Sequence, residues 1–280
     1  MVILVLAIIG LLTVIIIEFI IVFKVIKLGG VPWRSIWLGQ MLLFGILLSY
    51  LTTLAFVFKP TDAGCNLLRF AVGVCYALML SVLIIKLLIV LSPKTEPGFL
   101  KLGHQVLILA TLWTVQIVIN SQWLILAPSE TELKSIAVSI DNGESTRTEV
   151  YEGTVCKAVH LPSLFFDFLT SFVYIMILRI VTLVLSLVSF TKSKKKDGKP
   201  NSESRWILVT TVVTTIVWII WILIGSFVND AGMAAVAIGL WVTATAKLII
   251  LFIPKLHKLA TLKDGGKKCQ VRKIWLRVIR

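Results

Sequence analysis

Seven apolar runs of membrane-spanning length dominate this sequence, over residues 1–23, 36–58, 64–91, 102–126, 159–189, 206–228 and 232–253. A hydrocarbon core about 30 Å thick takes roughly 20 apolar residues of α-helix to cross. Inside it no water satisfies the backbone, so runs of this kind fold as spanning helices. With 58% of residues hydrophobic, 15% charged and a mean hydropathy of +0.98, the chain does not fit a soluble globular domain. The fold class expected is an all-α membrane protein, a seven-transmembrane helix bundle.

Charge gives the orientation. The formal net charge of +14 suits nucleic acid in principle, but the cations cluster between the apolar runs. Segments 24–35, 92–101, 190–205 and 254–280 hold 20 of the 28 Lys and Arg, while 59–63, 127–158 and 229–231 hold Lys59, Lys134, Arg147 and Lys157. Basic segments stay on the cytosolic face, so the N-terminus is outside and the C-terminus cytosolic, in a multi-pass protein of the plasma membrane. The first run lacks a basic n-region and an evident cleavage site, which argues against a signal peptide. Cleavage would leave six spans and weaken the charge argument. Met1 is expected to begin a fragment whose ectodomain is missing. Two regions follow: a bundle at 1–253 and a basic tail at 254–280. In the tail, Val271, Ile274, Trp275, Val278 and Ile279 share a helix face opposite Arg272, Lys273, Arg277 and Arg280, a pattern suited to anionic membrane lipids or to a calmodulin-like partner.

The second outer connection, 127–158, carries six acidic residues. Val138, Ile140, Val150 and Tyr151 flank Asn142-Gly143, which favours a type I′ turn, so a β-hairpin is expected over the bundle; a disordered acidic loop is the simpler alternative. Lys192 to Pro200 reads as a solvated linker between spans five and six. Cys65, at the outer end of span three, and Cys156, just before span five, both face the oxidising side and are expected to pair. Cys75 lies within the bilayer as a packing residue. Cys269, among Lys267, Lys268 and Arg272, has a context that permits palmitoylation.

These cysteines, with Phe252-Ile253-Pro254-Lys255-Leu256-His257 closing span seven, resemble the class C (family 3) G-protein-coupled receptors. Leu68-Arg69-Phe70 with Gly73-Val74, then Asp167 through Tyr174-Ile175-Met176, Ile219-Ile220-Trp221 and Gly239-Leu240-Trp241-Val242 are similar to the retinoic-acid-induced orphan group and the bride-of-sevenless proteins. The likeness spans most of the chain. It implies a receptor that transmits an outer event to heterotrimeric G proteins, with homodimerisation a property of the class. For the bride-of-sevenless proteins it implies instead a membrane-tethered ligand for a receptor tyrosine kinase on a neighbouring cell. Two departures stand out. His257 replaces the tyrosine that often follows Pro254-Lys255, which puts any switch using that hydroxyl in doubt, and no large outer ligand-binding lobe is present.

Four cations lie inside spans, where charge is costly and usually paired or functional. Arg69 and Asp167 share an outer depth on neighbouring spans three and five and are expected to pair; snorkelling of Arg69 and solvation of Asp167 are the alternative. Glu18 and Lys247, about 9 and 12 Å from the inner ends of spans one and seven at 1.5 Å per residue, are expected to form a second pair. Lys86, near the inner end of span three, and Glu203, just before span six, match by resemblance an ionic lock of the class, although Lys86 is also able to snorkel. Arg179, midway down span five, is left without a nameable partner. Trp218, Trp221 and Trp241 lie deep enough on spans six and seven to line a cavity, with core packing the plainer reading.

Other functions find little support. Lys247 lies seven residues before Pro254, as a retinylidene lysine does, but the surrounding residues of an opsin are missing. No matched pair of broken helices marks a transporter. The three histidines are scattered, and no nucleophile, carboxylate pair, metal cluster or phosphate loop is evident, so no enzyme activity, cofactor or nucleic-acid partner is expected.

Overall fold

The computed structural model describes residues 2–27, 33–92, 101–126, 128–141, 146–158, 171–197, 202–227, 232–254 and 256. Among them, seven helices are long and apolar enough to cross a membrane. They are α1 (Val2–Lys27), α2 (Trp33–Ala55), α3 (Asp62–Leu91), α4 (Leu102–Leu126), α5 (Val173–Asp197), α6 (Ser202–Phe227) and α7 (Gly232–Lys247), the last continued by a π-helical turn over Leu248–Phe252. Serine and threonine hydroxyls within these helices return to the carbonyl one turn back, as in Ser49 to Gly45, Thr53 to Ser49, Thr182 to Leu178 and Thr211 to Ile207, each at 2.7–2.8 Å. That local bond removes the hydroxyl's demand for water.

Two of the boundaries that differ from expectation have a local cause. Helix α2 ends at Ala55 rather than 58, because Val57 and Phe58 donate to Leu54 and Ala55 in a tight turn ahead of Pro60, which disfavours continued helix. Helix α5 runs to Asp197, so the first part of the lysine-rich segment is helical rather than linker. Lysine is a good helix former and its charge suits a helix C-terminus. At the other end, the described part of α5 begins at Val173, and 159–170, with Asp167, lies outside the described residues.

Helix α3 is the axis of the bundle. At 30 residues it is about 45 Å long, and every side chain from Val72 to Leu87 is buried. It packs against α2, α4, α5 and α6. Association of helices in lipid depends on close approach and internal hydrogen bonds, and both are found along α3. A Cβ on Gly73 would collide with the amide of Asn120 on α4, and one on Gly45 would lie 2.9 Å from Met79 Cγ. Asn120 Nδ2 donates to the Phe70 carbonyl at 2.9 Å, Gln116 Nε2 donates to Asn120 Oδ1 at 2.6 Å and to the Ser171 carbonyl at 3.2 Å, and Trp113 Nε1 donates to the Val74 carbonyl at 3.3 Å. Gln116 and Asn120 thereby join α4 to α3 and to the chain entering α5.

Strands β1 (Ser129–Asp141) and β2 (Thr146–Ala158) form an antiparallel hairpin at the N-terminal end of α3. Cys65 and Cys156 are disulfide-bonded, with Cα atoms 5.8 Å apart. On either side of Cys65, one helical turn apart, Asp62 and Asn66 add polar anchors. Asp62 Oδ1 accepts from both Thr131 N and Thr131 Oγ1 at 2.7 Å, and Asn66 accepts from Ser129 N at 2.7 Å while donating to Ser129 O at 3.1 Å. The register pairs Thr131 with Cys156 and ends at Asp141 with Thr146, leaving four residues in the connection. A two-residue Asn142-Gly143 turn would close two residues earlier on the second strand. Register here follows from the anchored end of the hairpin, where the disulfide and the Asp62 and Asn66 bonds converge, and residues 142–145 lie outside the described ones.

Two outcomes follow from this packing. Gly73→Ala displaces Asn120 and should lower thermal stability by about 1–3 kcal/mol, whereas Gly39→Ala, where a Cβ meets nothing within 4 Å, should leave it unchanged or slightly raised; circular dichroism melts in detergent compare the two. Removing the disulfide with Cys65→Ser and Cys156→Ser should cost about 2–5 kcal/mol, and adding Asp62→Ala should then expose β1 to limited proteolysis that wild type resists.

Candidate functional site

Where α3, α5, α6 and α7 meet, four aromatic rings form a continuous cluster around Tyr76. Tyr76 lies edge-to-face with Phe172 at 6.3 Å and with Trp218 at 6.1 Å, and Trp218 meets Trp221 edge-to-face at 5.4 Å. Phe172 closes the group against Trp218 at 6.2 Å and Trp221 at 6.3 Å. All four are buried. The cluster depends on a missing side chain opposite, since a Cβ on Gly239 of α7 would fall 2.6 Å from Trp221 Cδ1.

Two cations are embedded in this cluster. The Arg179 guanidinium on α5 lies 4.9 Å over the Trp218 ring and 6.0 Å from the Tyr76 ring, and its Nη1 makes a long bond of 3.4 Å to Thr214 Oγ1 on α6. Lys247 is fully buried at the last turn of α7, with Nζ 3.4 Å from Met79 Sδ and 5.9 Å from the Tyr76 ring. Tyr76 OH makes a long hydrogen bond, 3.5 Å, to Thr243 Oγ1. A desolvated cation over an aromatic face gains about 2 kcal/mol or more, so the rings partly replace a counter-ion. Among the described residues neither cation meets a carboxylate.

The sequence-based pairings fare differently. Glu18 is bonded to Gln40 of α2, with Oε2 making no hydrogen bond among the described residues, while Lys247 turns inward to α3. The expected Glu18–Lys247 pair is therefore not formed. The two heads face different seams, one between α1 and α2 and the other between α3 and α7. Arg69 is buried with its guanidinium 5.1 Å over the Trp123 ring, while its expected partner Asp167 lies outside the described residues. Lys86 is buried five residues before the end of α3, Glu203 is the second residue of α6, and both side chains are engaged. Beside Glu203, the Ser189 and Ser204 hydroxyls bond at 2.9 Å, tying α5 to α6 at that end.

Of the three tryptophans deep enough to line a cavity, Trp218 and Trp221 are packed in the core, in line with the plainer reading, while half-buried Trp241 faces the other way, its Nε1 donating to the Leu6 carbonyl of α1 at 2.9 Å. It braces α7 to α1. Pro254 is in the helical stretch after the π turn; Lys255, His257 and the tail with Cys269 lie outside the described residues. Sequence reasoning missed Tyr76, Phe172, Met79, Gln116 and Asn120. For the last two a signal existed: amides four residues apart in an apolar run share a helix face and commonly serve as interhelical polar contacts.

The family described as "7 transmembrane sweet-taste receptor of 3 GCPR" matches residues 1–255. A metabotropic glutamate receptor of Drosophila melanogaster is 35% identical over 101 residues, 34% of this chain and 10% of that receptor, so the chain matches about a tenth of that relative's length. With seven spanning helices and a family match over nearly its whole length, this multi-pass plasma-membrane protein belongs to the seven-transmembrane family of class C G-protein-coupled receptors.

Proposed function

We propose that this chain passes an outer event to heterotrimeric G proteins by shifting α3, α5, α6 and α7 between two packings, with no chemistry of its own. The observation that carries this reading is the placement of Lys86 and Glu203. Helices α3 and α6 touch and run in opposite directions, so the last turns of α3 and the first turn of α6 share one end of the bundle, the end away from the hairpin. A buried lysine and an acidic residue at that shared end are the elements of a lock that holds one packing. Ligands bias such an equilibrium by binding the two packings unequally.

The finer placement, near the retinoic-acid-induced orphans and bride-of-sevenless proteins, rests on the short segments around Leu68–Phe70, Tyr174–Met176, Ile219–Trp221 and Gly239–Val242. Homodimerisation comes from the class likeness alone. The basic tail, 254–280, is assigned to the anionic inner leaflet, with Cys269 placed for palmitoylation.

Lys86→Ala in the full-length protein should raise basal G-protein activation, because losing about 1–2 kcal/mol from one packing changes the two-state ratio by roughly 5–30-fold. Glu203→Gln should do the same, and the double variant should add little beyond either. Silence of all three at matched surface expression would sink the lock and favour the tethered-ligand reading, in which the bundle anchors a ligand for a receptor tyrosine kinase in trans.

A further inference from the structure

Two positive side chains in one low-dielectric core, without a carboxylate among the described residues, leave a charge imbalance that aromatic faces offset only in part. Arg179 is 4% exposed and Lys247 is 0% exposed, and both lie against the same Tyr76 ring, at 6.0 and 5.9 Å from its centre. The Arg179 guanidinium uses Nη1 on Thr214, but Nε and Nη2, both cut off from solvent, make no hydrogen bond among the described residues. These two nitrogens form one edge of the guanidinium, a fork whose parallel N–H bonds match a halide or the two oxygens of a carboxylate. Leaving such donors unmade in a dry core is costly. Lys247 likewise spends its ammonium on a thioether and a ring face, both weak partners.

We propose that this core is an anion site: a compact monoanion, chloride or a small carboxylate, sits on the Nε–Nη2 edge of Arg179, with Lys247 adding the second positive charge that attracts it. Because Nε and Nη2 are closed off from solvent, the proposed occupant is a small one. A π-helical turn begins immediately after Lys247. Such turns insert slack into a helix and recur at functional sites, and this one directly follows the residue that supplies the second charge. Because Arg179 belongs to α5 and Lys247 to α7, an anion drawn to both favours packings that keep those helices together. The site stands whether or not the chain couples to G proteins.

The test uses the full-length protein extracted and purified in gluconate, an anion too large for this core, then titrated with chloride or formate at constant ionic strength. Thermal unfolding and bound radiolabelled chloride are both read. The expected result is a saturable rise in melting temperature with chloride binding at one per chain. Arg179→Gln should abolish both effects, and Lys247→Met should weaken the midpoint by roughly tenfold or more. Formate that competes with labelled chloride shows a shared seat, and the lower midpoint identifies the preferred class of anion. Wild type showing neither saturable binding nor a chloride-specific shift overturns the proposal, as does an equal shift in Lys247→Met and wild type. Should Arg179→Gln fail to fold, the Lys247→Met midpoint and the wild-type stoichiometry decide.

Discussion

The rest of this structure depends on burying α3. A helix surrounded on all sides gains nothing from lipid, so its stability comes from the neighbours it contacts and from the satisfaction of every polar group along it. From Val72 to Leu87 no side chain is exposed. The helices around it therefore supply what α3 needs at each level: the hairpin anchors at Asp62, Cys65 and Asn66, the Asn120 amide at Gly73, and the aromatic and cationic cluster at Tyr76. Each of these contacts joins residues distant in sequence. Together they fix the rotation and depth of α3 in a way that hydrophobicity, being non-directional, does not.

The same dependence divides the helix into unlike ends. At the hairpin end a covalent bond and several short hydrogen bonds hold α3 to β1 and β2. At the opposite end the contacts described between elements are non-covalent: side-chain interactions of Lys86, the Trp37–Gln105 hydrogen bond between α2 and α4, and the Ser189–Ser204 hydroxyl pair between α5 and α6. A bundle clamped by a disulfide at one end and held by non-covalent contacts at the other rearranges most cheaply at the second. That asymmetry is a physical basis for relaying an event along the bundle, and it arises from where the polar residues sit.

Much of this was legible in the sequence. The spans were, because lipid imposes a length and a composition that few other structures share. The Cys65–Cys156 bond was legible too, because only two cysteines face the oxidising side. Side-chain partnerships were not, and the reason is geometric. Depth in the bilayer can be counted along the chain at a fixed rise per residue, but the rotational phase of a nearly uniformly apolar helix cannot. Glu18 and Lys247 share a depth and yet face different seams, one toward Gln40 and the other toward Met79. Trp241 is on the expected helix but turns toward Leu6. The hairpin's existence followed from its pattern, whereas its register followed from anchors on α3, a partner more than sixty residues away.

The buried cations expose a further assumption. Searching for a carboxylate at matching depth left Arg179 without a partner, and the structure gives it Trp218, Tyr76 and Thr214 instead. An ion pair fixes two residues to each other through a few short contacts and is destroyed when either moves. A cation against a ring face loses little over a displacement of an ångström, because the attraction is spread over the whole ring. A core of rings and cations on four helices can then keep its charges stabilised while those helices slide, which a network of ion pairs cannot. The positive core is thus compatible with two packings of similar energy, the condition that any two-state relay through this bundle requires.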